Sequence, residues 1–357
     1  MERELRLMKG NEAIAEAAIR AGVDGYFGYP ITPQSEILEY LMETDSYKRT
    51  GMVSLQVESE IAAINMVYGG AGCGKKVMTS SSSPGISLMQ EGISYMAGAE
   101  LPCLIVNVAR GGPGLGTIQP AQADYFQSVK GGGHGGYRVI VLAPASVQEM
   151  ADFVELGFDL AFKYRNPVLI LTDGAIGQMM EKVYLKPQKP RFEEVPEWAA
   201  VGKGNRLKTN IITSVELDPA SMEKFNQKLV DKYGEIKKHE VRFEEYFCDD
   251  ADYLIVAYGT SARVCKKSVQ IAREQGIKAG LLRPVTLFPF PSVRINELAD
   301  RAKAILSVEM SAGQMVEDVA LAVNGKKPVR HFGRMGGIVA TPEEVVDNLK
   351  TFFTGGN

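Results

Sequence analysis

Two rhythms of apolar and polar positions run through the first half of the chain. A helical spacing over 8–21 starts near Asn11 and is closed by Gly22. A short aromatic strand over 24–28 follows, then Tyr29-Pro30-Ile31-Thr32-Pro33, then a second helix from Gln34. The two prolines bracket Ile31 and Thr32 and stiffen that loop, and Pro33 suits a helix start. Further on, Ile61, Ile64 and Tyr68 recur at helical spacing behind Glu58-Ser59-Glu60, with Ser59 as a candidate N-cap. Ala62, Ala63, Gly69, Gly70 and Ala71 keep this helix slim enough for another backbone to approach closely. A strand over 77–80, a serine-rich loop over 81–85 and a helix over 86–98 come next. The run Leu-Pro-Cys-Leu-Ile-Val-Asn-Val-Ala over 101–109 is a strand covered on both faces, with Arg110 at its end. Strands over 138–142 and 167–171 enclose a helix over 147–163 capped by Ser146. Strands and helices that alternate in this way predict an α/β fold with a mainly parallel sheet.

The pattern breaks between residues 182 and 247, where Pro187, Pro190 and Pro196 cluster and charges dominate. One amphipathic helix over 221–238 stands out there. A second α/β unit starts near Asp252, with strands over 253–257, 277–282 and 304–308. Between the last two lies a stiff apolar loop over 283–291, and Thr341-Pro-Glu-Glu opens a final helix. The expected organisation is two αβα units: a larger one over 1–185, a linker with a small helical excursion over 186–247, and a smaller unit over 248–357.

Composition narrows the function classes. The 357 residues are 45% hydrophobic and 23% charged, enough for substantial cores. Forty basic against forty-three acidic side chains, a net charge of -3, offer no footing for a general grip on nucleic acid. No stretch approaches ~18 uninterrupted apolar residues, and the charged start lacks a signal-peptide core, so no membrane role and a cytoplasmic location are expected. Cys73, Cys103, Cys248 and Cys265 are scattered, as are His134, His239 and His331, which argues against a zinc or iron–sulfur site within this chain.

Candidate chemistry centres on Glu60. The positive helix end favours its charged form and burial disfavours it, so it is suited to share a proton with a ligand. It would equally serve to complement the helix dipole. Arg110 can hold a substrate carboxylate through two parallel hydrogen bonds or pair with a neighbouring acid. The stiff loop that presents Thr32 is either a plain turn or a ledge at the carboxyl end of a strand, where open α/β sheets place ligands. Two nucleotide-binding look-alikes fail. The run from Gly69 to Lys75 fits a P-loop, but Lys76 stands where Ser or Thr is needed, and the run follows a helix. Thr117 stands where the third glycine of a dinucleotide fingerprint belongs. Asp173-Gly174 lacks a preceding glycine, so no metal site is expected in this chain alone, and His134 reads as a loop histidine.

As an ordered set, several segments resemble the 2-oxoacid:ferredoxin oxidoreductases. They are Tyr29-Pro-Ile-Thr-Pro33, Glu58-Ser-Glu60 with its slim helix, Ser82-Ser-Pro-Gly85, Val108-Ala-Arg110, Ala143-Pro-Ala-Ser-Val-Gln-Glu149 and Leu287-Phe-Pro-Phe-Pro291. The resemblance covers most of the chain and is nearest to the 2-ketoisovalerate (3-methyl-2-oxobutanoate) type, with the 2-oxoglutarate type a near neighbour. It implies a thiamine-diphosphate pyrimidine-binding domain followed by a transketolase-C-terminal-like domain. It implies oxidative decarboxylation of a 2-oxoacid to its acyl-CoA, with electrons passed to ferredoxin. By the same resemblance Glu60 is the acid that hydrogen-bonds the cofactor's pyrimidine, Thr32 lies on the substrate side and Arg110 binds the substrate carboxylate. Pro30, Ile31, Ser83 and Pro84 are then expected beside the cofactor. Magnesium and the iron–sulfur clusters are expected on partner subunits: a Gly-Asp-Gly thiamine-diphosphate subunit, a ferredoxin-like subunit and a gamma-type subunit. Other readings are a pyruvate- or 2-oxoglutarate-specific member, a non-catalytic docking subunit, or a transketolase-like enzyme, which the missing Gly-Asp-Gly disfavours.

Overall fold

The computed structural model of the chain describes residues 4–191 and 194–353. The first unit runs β1 (Glu4–Lys9), α1 (Gly10–Arg20), β2 (Gly25–Gly28), α2 (Ser35–Glu43), α3 (Ser46–Thr50), β3 (Val53–Gln56), α4 (Glu60–Gly72), β4 (Val77–Ser81), α5 (Ser83–Gly98) and β5 (Cys103–Ala109). A π-helical turn (Gln127–Gly131), β6 (Ile140–Leu142), α6 (Val147–Tyr164), β7 (Pro167–Asp173), α7 (Gly174–Gln178) and β8 (Met180–Leu185) complete it. After α8 (Pro219–His239), the second unit runs β9 (Phe243–Tyr246), β10 (Tyr253–Ala257), α9 (Gly259–Glu274), β11 (Ala279–Pro284), β12 (Thr286–Phe288) and α10 (Ser292–Arg301). It closes with β13 (Ala304–Glu309), α11 (Met315–Val323), β14 (Val329–Gly333) and α12 (Pro342–Phe353).

The larger sheet has seven strands in the order β12-β6-β7-β5-β4-β2-β3, all parallel except β12. Its central strands β5 and β7 are buried along their whole length and pair from Cys103–Pro167 to Ala109–Asp173. That explains their unbroken apolar sequences. The smaller sheet has the order β14-β13-β10-β11-β9, with only β9 antiparallel.

Several placements differ from the sequence expectation, among them the serine-rich loop over 81–85, most of which belongs to β4 and to α5, which begins at Ser83. The helix expected over 8–21 begins at Gly10, and residues before it form β1, which pairs antiparallel with β8. The segment expected as a loop over 283–291 contains β12, which leaves the second unit and joins the edge of the first unit's sheet beside β6. Within the segment 186–247, β9 adds an antiparallel edge to the second sheet. Each of these strands is short, and its partner lies far along the chain, so local periodicity carries little trace of the pairing.

The two units share one apolar core, in which Leu229, Tyr233 and Ile236 of α8 join residues of both sheets. Polar contacts also cross the seam. Thr260 Oγ1 donates to Asp173 Oδ1 (2.8 Å), and Gln122 bonds Tyr258 O, Ser261 Oγ and Met310 N (2.6–2.9 Å). Asp173 also caps α7 by accepting from Ala175 N and Ile176 N, so it has a structural task. Burial pushes its carboxyl above the usual range against those hydrogen bonds.

One buried ion cluster ties α1 to α2 and α3. Glu16, fully buried, accepts from Arg20 Nε (2.6 Å), Arg49 Nη1 and Nη2 (2.7 and 2.9 Å) and Tyr40 Oη (3.1 Å). Burial pushes this carboxyl up, but the hydrogen bonds from Arg49 and Arg20 outweigh it and hold it at about 2, below the ordinary 4.5. A carboxyl with a depressed folded-state pKa stabilises above its unfolded pKa, and that contribution is lost as pH falls through the folded value. Glu16→Gln is therefore expected to cost about 3 kcal/mol at neutral pH, because it leaves arginines without their carboxylate. Urea unfolding of both proteins at pH 7 and pH 3 checks this, and the gap should narrow at the lower pH.

Candidate active site

The parallel order β5-β4-β2-β3 puts four strand ends at one edge of the sheet. Arg110 follows β5, Ser81 ends β4 and Ser82 leads directly into α5, the Tyr29–Pro33 ledge follows β2, and Glu60 opens the helix after β3. This is the edge where open α/β sheets bind ligands.

Glu60 is 5% exposed, in the first turn of α4. Ser59 caps the helix by accepting from Ala62 N (3.2 Å). Among the described residues the Glu60 carboxylate receives one long side-chain hydrogen bond, from Ser81 Oγ (3.5 Å). It packs against Gly85, where a Cβ would lie 2.4 Å from Glu60 Oε1 and 2.0 Å from Ser81 Oγ. Only glycine lets the start of α5 approach this acid. Lower down, a Cβ on Gly92 would strike Ile64 at 2.6 Å, so glycines of α5, rather than the small residues of α4, let the two helices approach here.

The ledge is pinned from three sides. Asn11 Nδ2 (2.7 Å) and Gln178 Nε2 (3.2 Å) donate to Pro33 O, and Gln34 Nε2 donates to Tyr29 O (3.0 Å). Ser80 Oγ, bonded to Tyr26 Oη, holds Gln34 Oε1 in turn. Tyr29, Pro30 and Thr32 are exposed and Ile31 is half-buried, so the ledge is fixed in backbone and open in side chain. The helix begins at Ser35, with Pro33 just before it.

Arg110 is 8% exposed and reaches across to the ledge. Its Nη1 donates to Thr32 O (2.9 Å) and its Nη2 to Leu115 O (3.1 Å). Its Nε is buried without a partner, and among the described residues no carboxylate lies within ion-pair distance. The acid-paired alternative for Arg110 therefore does not apply.

Ser83 joins the two sides. Its Oγ accepts from Arg110 N (3.0 Å) and donates to Asp124 Oδ2 (2.6 Å), which also accepts from Asn107 Nδ2 (2.8 Å). Burial pushes the Asp124 carboxyl up, against these two hydrogen bonds. Ser83 and Pro84 line an open cavity of about 440 Å³, together with Gly111–Gly114, Asp124 and second-unit residues including Met310 and Gln314. Contacts thus run from Glu60 through the junction of β4 and α5 to Arg110 and Thr32. Asp124 and Asn107 were not singled out from the sequence. A signal existed for Asn107, a lone amide in an otherwise apolar strand; nothing in the neighbourhood of Asp124 marked it.

Among the described residues no cluster of His, Cys, Asp and Glu is placed to hold a metal. The fit to a heterocyclic cofactor is better. A buried carboxylate with spare acceptor capacity and two buried polar atoms without partners, Ser82 Oγ and Arg110 Nε, lie along this edge. Such groups call for a partner from outside the chain.

Family comparison agrees with that chemistry. Residues 16–245 match the family of pyruvate flavodoxin/ferredoxin oxidoreductases described as thiamine diphosphate-binding, and residues 251–345 match core domain II of pyruvate:ferredoxin oxidoreductase. The chain belongs to this family of thiamine-diphosphate-dependent oxidoreductases. Among individual proteins, it is 52% identical to the ketoisovalerate oxidoreductase subunit VorB of Methanothermobacter thermautotrophicus, over 97% of each chain. It is 37% identical to the 2-oxoglutarate synthase subunit KorA of Archaeoglobus fulgidus, over 96% of this chain and 98% of that one. In three dimensions it superposes on the 2-oxoglutarate:ferredoxin oxidoreductase of Magnetococcus marinus with a TM-score of 0.85 at 27% identity, covering 98% of this chain and 65% of that one. A split-gene transketolase shares the fold at a TM-score of 0.61 and 14% identity.

Proposed function

We propose that this chain is the pyrimidine-side subunit of a 2-ketoisovalerate:ferredoxin oxidoreductase. In this reading it helps convert a branched-chain 2-oxoacid and coenzyme A to the acyl-CoA, with electrons leaving to ferredoxin. The observation that carries the reading is the meeting of Glu60, Arg110 and the Thr32 ledge at one sheet edge. A docking-only subunit would have no use for that convergence. The likeness to VorB supports the branched-chain substrate.

Thiamine diphosphate, when bound, supplies the carbon nucleophile and the electron sink. Glu60 would face its pyrimidine ring and share a proton with a ring nitrogen, work that suits a buried acid at a helix start. Glycine at position 85 leaves room for that carboxylate, which a side chain there would crowd. Arg110 would take the substrate carboxylate, since among the described residues no carboxylate compensates its charge and its Nε has no partner. Thr32 would present its hydroxyl from a backbone already fixed by Arg110, and Pro30, Ile31, Ser83 and Pro84 would line the cofactor's surroundings.

The outer surface beside Glu60 supports a subunit that works only in an assembly. Exposed Ile61 and Met66 on α4 and Leu88 and Tyr95 on α5 are apolar side chains facing outward. Apolar patches of this kind mark protein contacts. In this reading a Gly-Asp-Gly subunit brings the cofactor's diphosphate and magnesium, and ferredoxin-like and gamma-type subunits complete the complex. No helix among the described residues is long and apolar enough to cross a membrane.

The test is purification of the complex, followed by a panel of 2-oxoacids with coenzyme A and a redox dye. The highest kcat/KM is expected for 2-ketoisovalerate, and the isolated chain with added cofactor is expected to be inert. A preference for 2-oxoglutarate or pyruvate would overturn the substrate assignment. Turnover by the chain alone would overturn the shared-site reading.

A further inference from the structure

A second, larger cavity lies away from this edge. About 770 Å³ in volume, it opens where the first unit, α8 and the second unit meet. That is within the range of about 300–1,000 Å³ usual for small-molecule sites. One wall is apolar and aromatic, built from Val129, Val241, Phe243, Phe288, Pro289 and Phe290. Five cationic side chains line it, against two acidic ones, on a chain whose net charge is -3.

The two acids are already engaged. Asp318 accepts from Tyr125 Oη and Lys130 Nζ, and Glu297 accepts from Arg294 Nη1 (2.9 Å). Arg294 is also held by Glu245. That leaves Arg138, Lys237 and Lys238, none of which has a carboxylate partner among the described residues. Arg138 donates through Nη1 to two backbone carbonyls, those of Lys130 and Tyr137, which orient its guanidinium without neutralising it. Lys237 lies over the Phe288 ring at 6.0 Å. The lysines alone could be read as basic residues complementing the carboxyl end of α8. Arg138 comes from a different part of the chain and has no such task, yet it faces the same cavity.

A planar fork and two ammonium groups beside an aromatic wall suit a ligand that joins a diphosphate-type anion to a flat ring. We infer that this seam cavity binds a free nucleoside diphosphate, at a site separate from the Glu60 edge. Binding there would touch all three segments of the chain at once, because the cavity walls come from each of them.

Calorimetric titration of the full chain with ADP, inorganic pyrophosphate and adenosine tests this. ADP is expected to bind at least tenfold more tightly than either fragment and to weaken as salt rises. The double variant Lys237→Ala, Lys238→Ala keeps the aromatic wall and the Arg138 carbonyl contacts, and is expected to weaken ADP tenfold or more with an unchanged melting temperature. No saturable ADP binding, or equal binding by wild type and variant, would overturn the site. Pyrophosphate binding as tightly as ADP would overturn the nucleotide class. In the assembled complex the double variant is expected to keep its KM for coenzyme A. A parallel rise in that KM would place the nucleotide on the thiol substrate and overturn the separate-ligand assignment. This last arm rests on the proposed activity; the titrations do not, so the two readings can fail independently.

Discussion

Glu60→Gln in the assembled complex is expected to lower kcat by about 10²- to 10⁴-fold, the usual weight of a positioned acid–base group. Glutamine fills nearly the same volume, which matters because Gly85 and Ser81 pack directly on this side chain. The fold should therefore survive, and the amide can still meet the helix end. What it cannot do is exchange a proton with a heterocycle. The measurement that separates these effects is hydrogen–deuterium exchange at the reactive carbon of bound thiamine diphosphate, followed by NMR. Slow exchange with near-normal cofactor affinity is the expected result. Exchange at the wild-type rate would remove Glu60 from the chemistry and leave it an acid that complements the helix dipole.

Arg110→Lys is expected to cost about 2 to 5 kcal/mol in kcat/KM for the 2-oxoacid, as for other losses from desolvated charged pairs. Lysine keeps the charge but loses the planar fork, so it can neither free an Nε for the substrate nor hold both Thr32 O and Leu115 O. The effect should fall mainly on the KM for the oxoacid, with the KM for coenzyme A unmoved. Equal changes in both would point to a general collapse of the loop after β5. The melting temperature offers a second check. Lost carbonyl contacts alone would lower it, whereas loss of substrate recognition alone would leave it in place.

Much of the fold was legible because it is written locally. Ser59 and Ser146 were readable as caps, and their hydroxyls accept from Ala62 N and Glu149 N. The apolar run before Arg110 was readable as a covered strand, and β5 is buried throughout. The pairings of β1 with β8 and β12 with β6 were not legible, because short strands take their register from distant partners. At the candidate site, Glu60, Thr32 and Arg110 were visible as residue types in suggestive places. Their alternatives stayed open because a helix-start acid and a strand-end arginine are common in any α/β protein.

What the sequence determined by itself was most of the inventory: the longer helices and most of the parallel strands of the two sheets, two helix caps, the slim helix, and an acid, an arginine and a stiff threonine loop each at an element boundary. These follow from neighbours a few residues apart. Only the tertiary structure decided that β5, β4, β2 and β3 lie side by side, so that their separate ends become one edge. Tertiary packing also decided that, among the described residues, no acid reaches Arg110 and three cations at the seam lack carboxylate partners, and that Gly85 lies beside Glu60. The physical reason is that charge compensation and close packing depend on which distant segments share a neighbourhood, and long-range burial settles that.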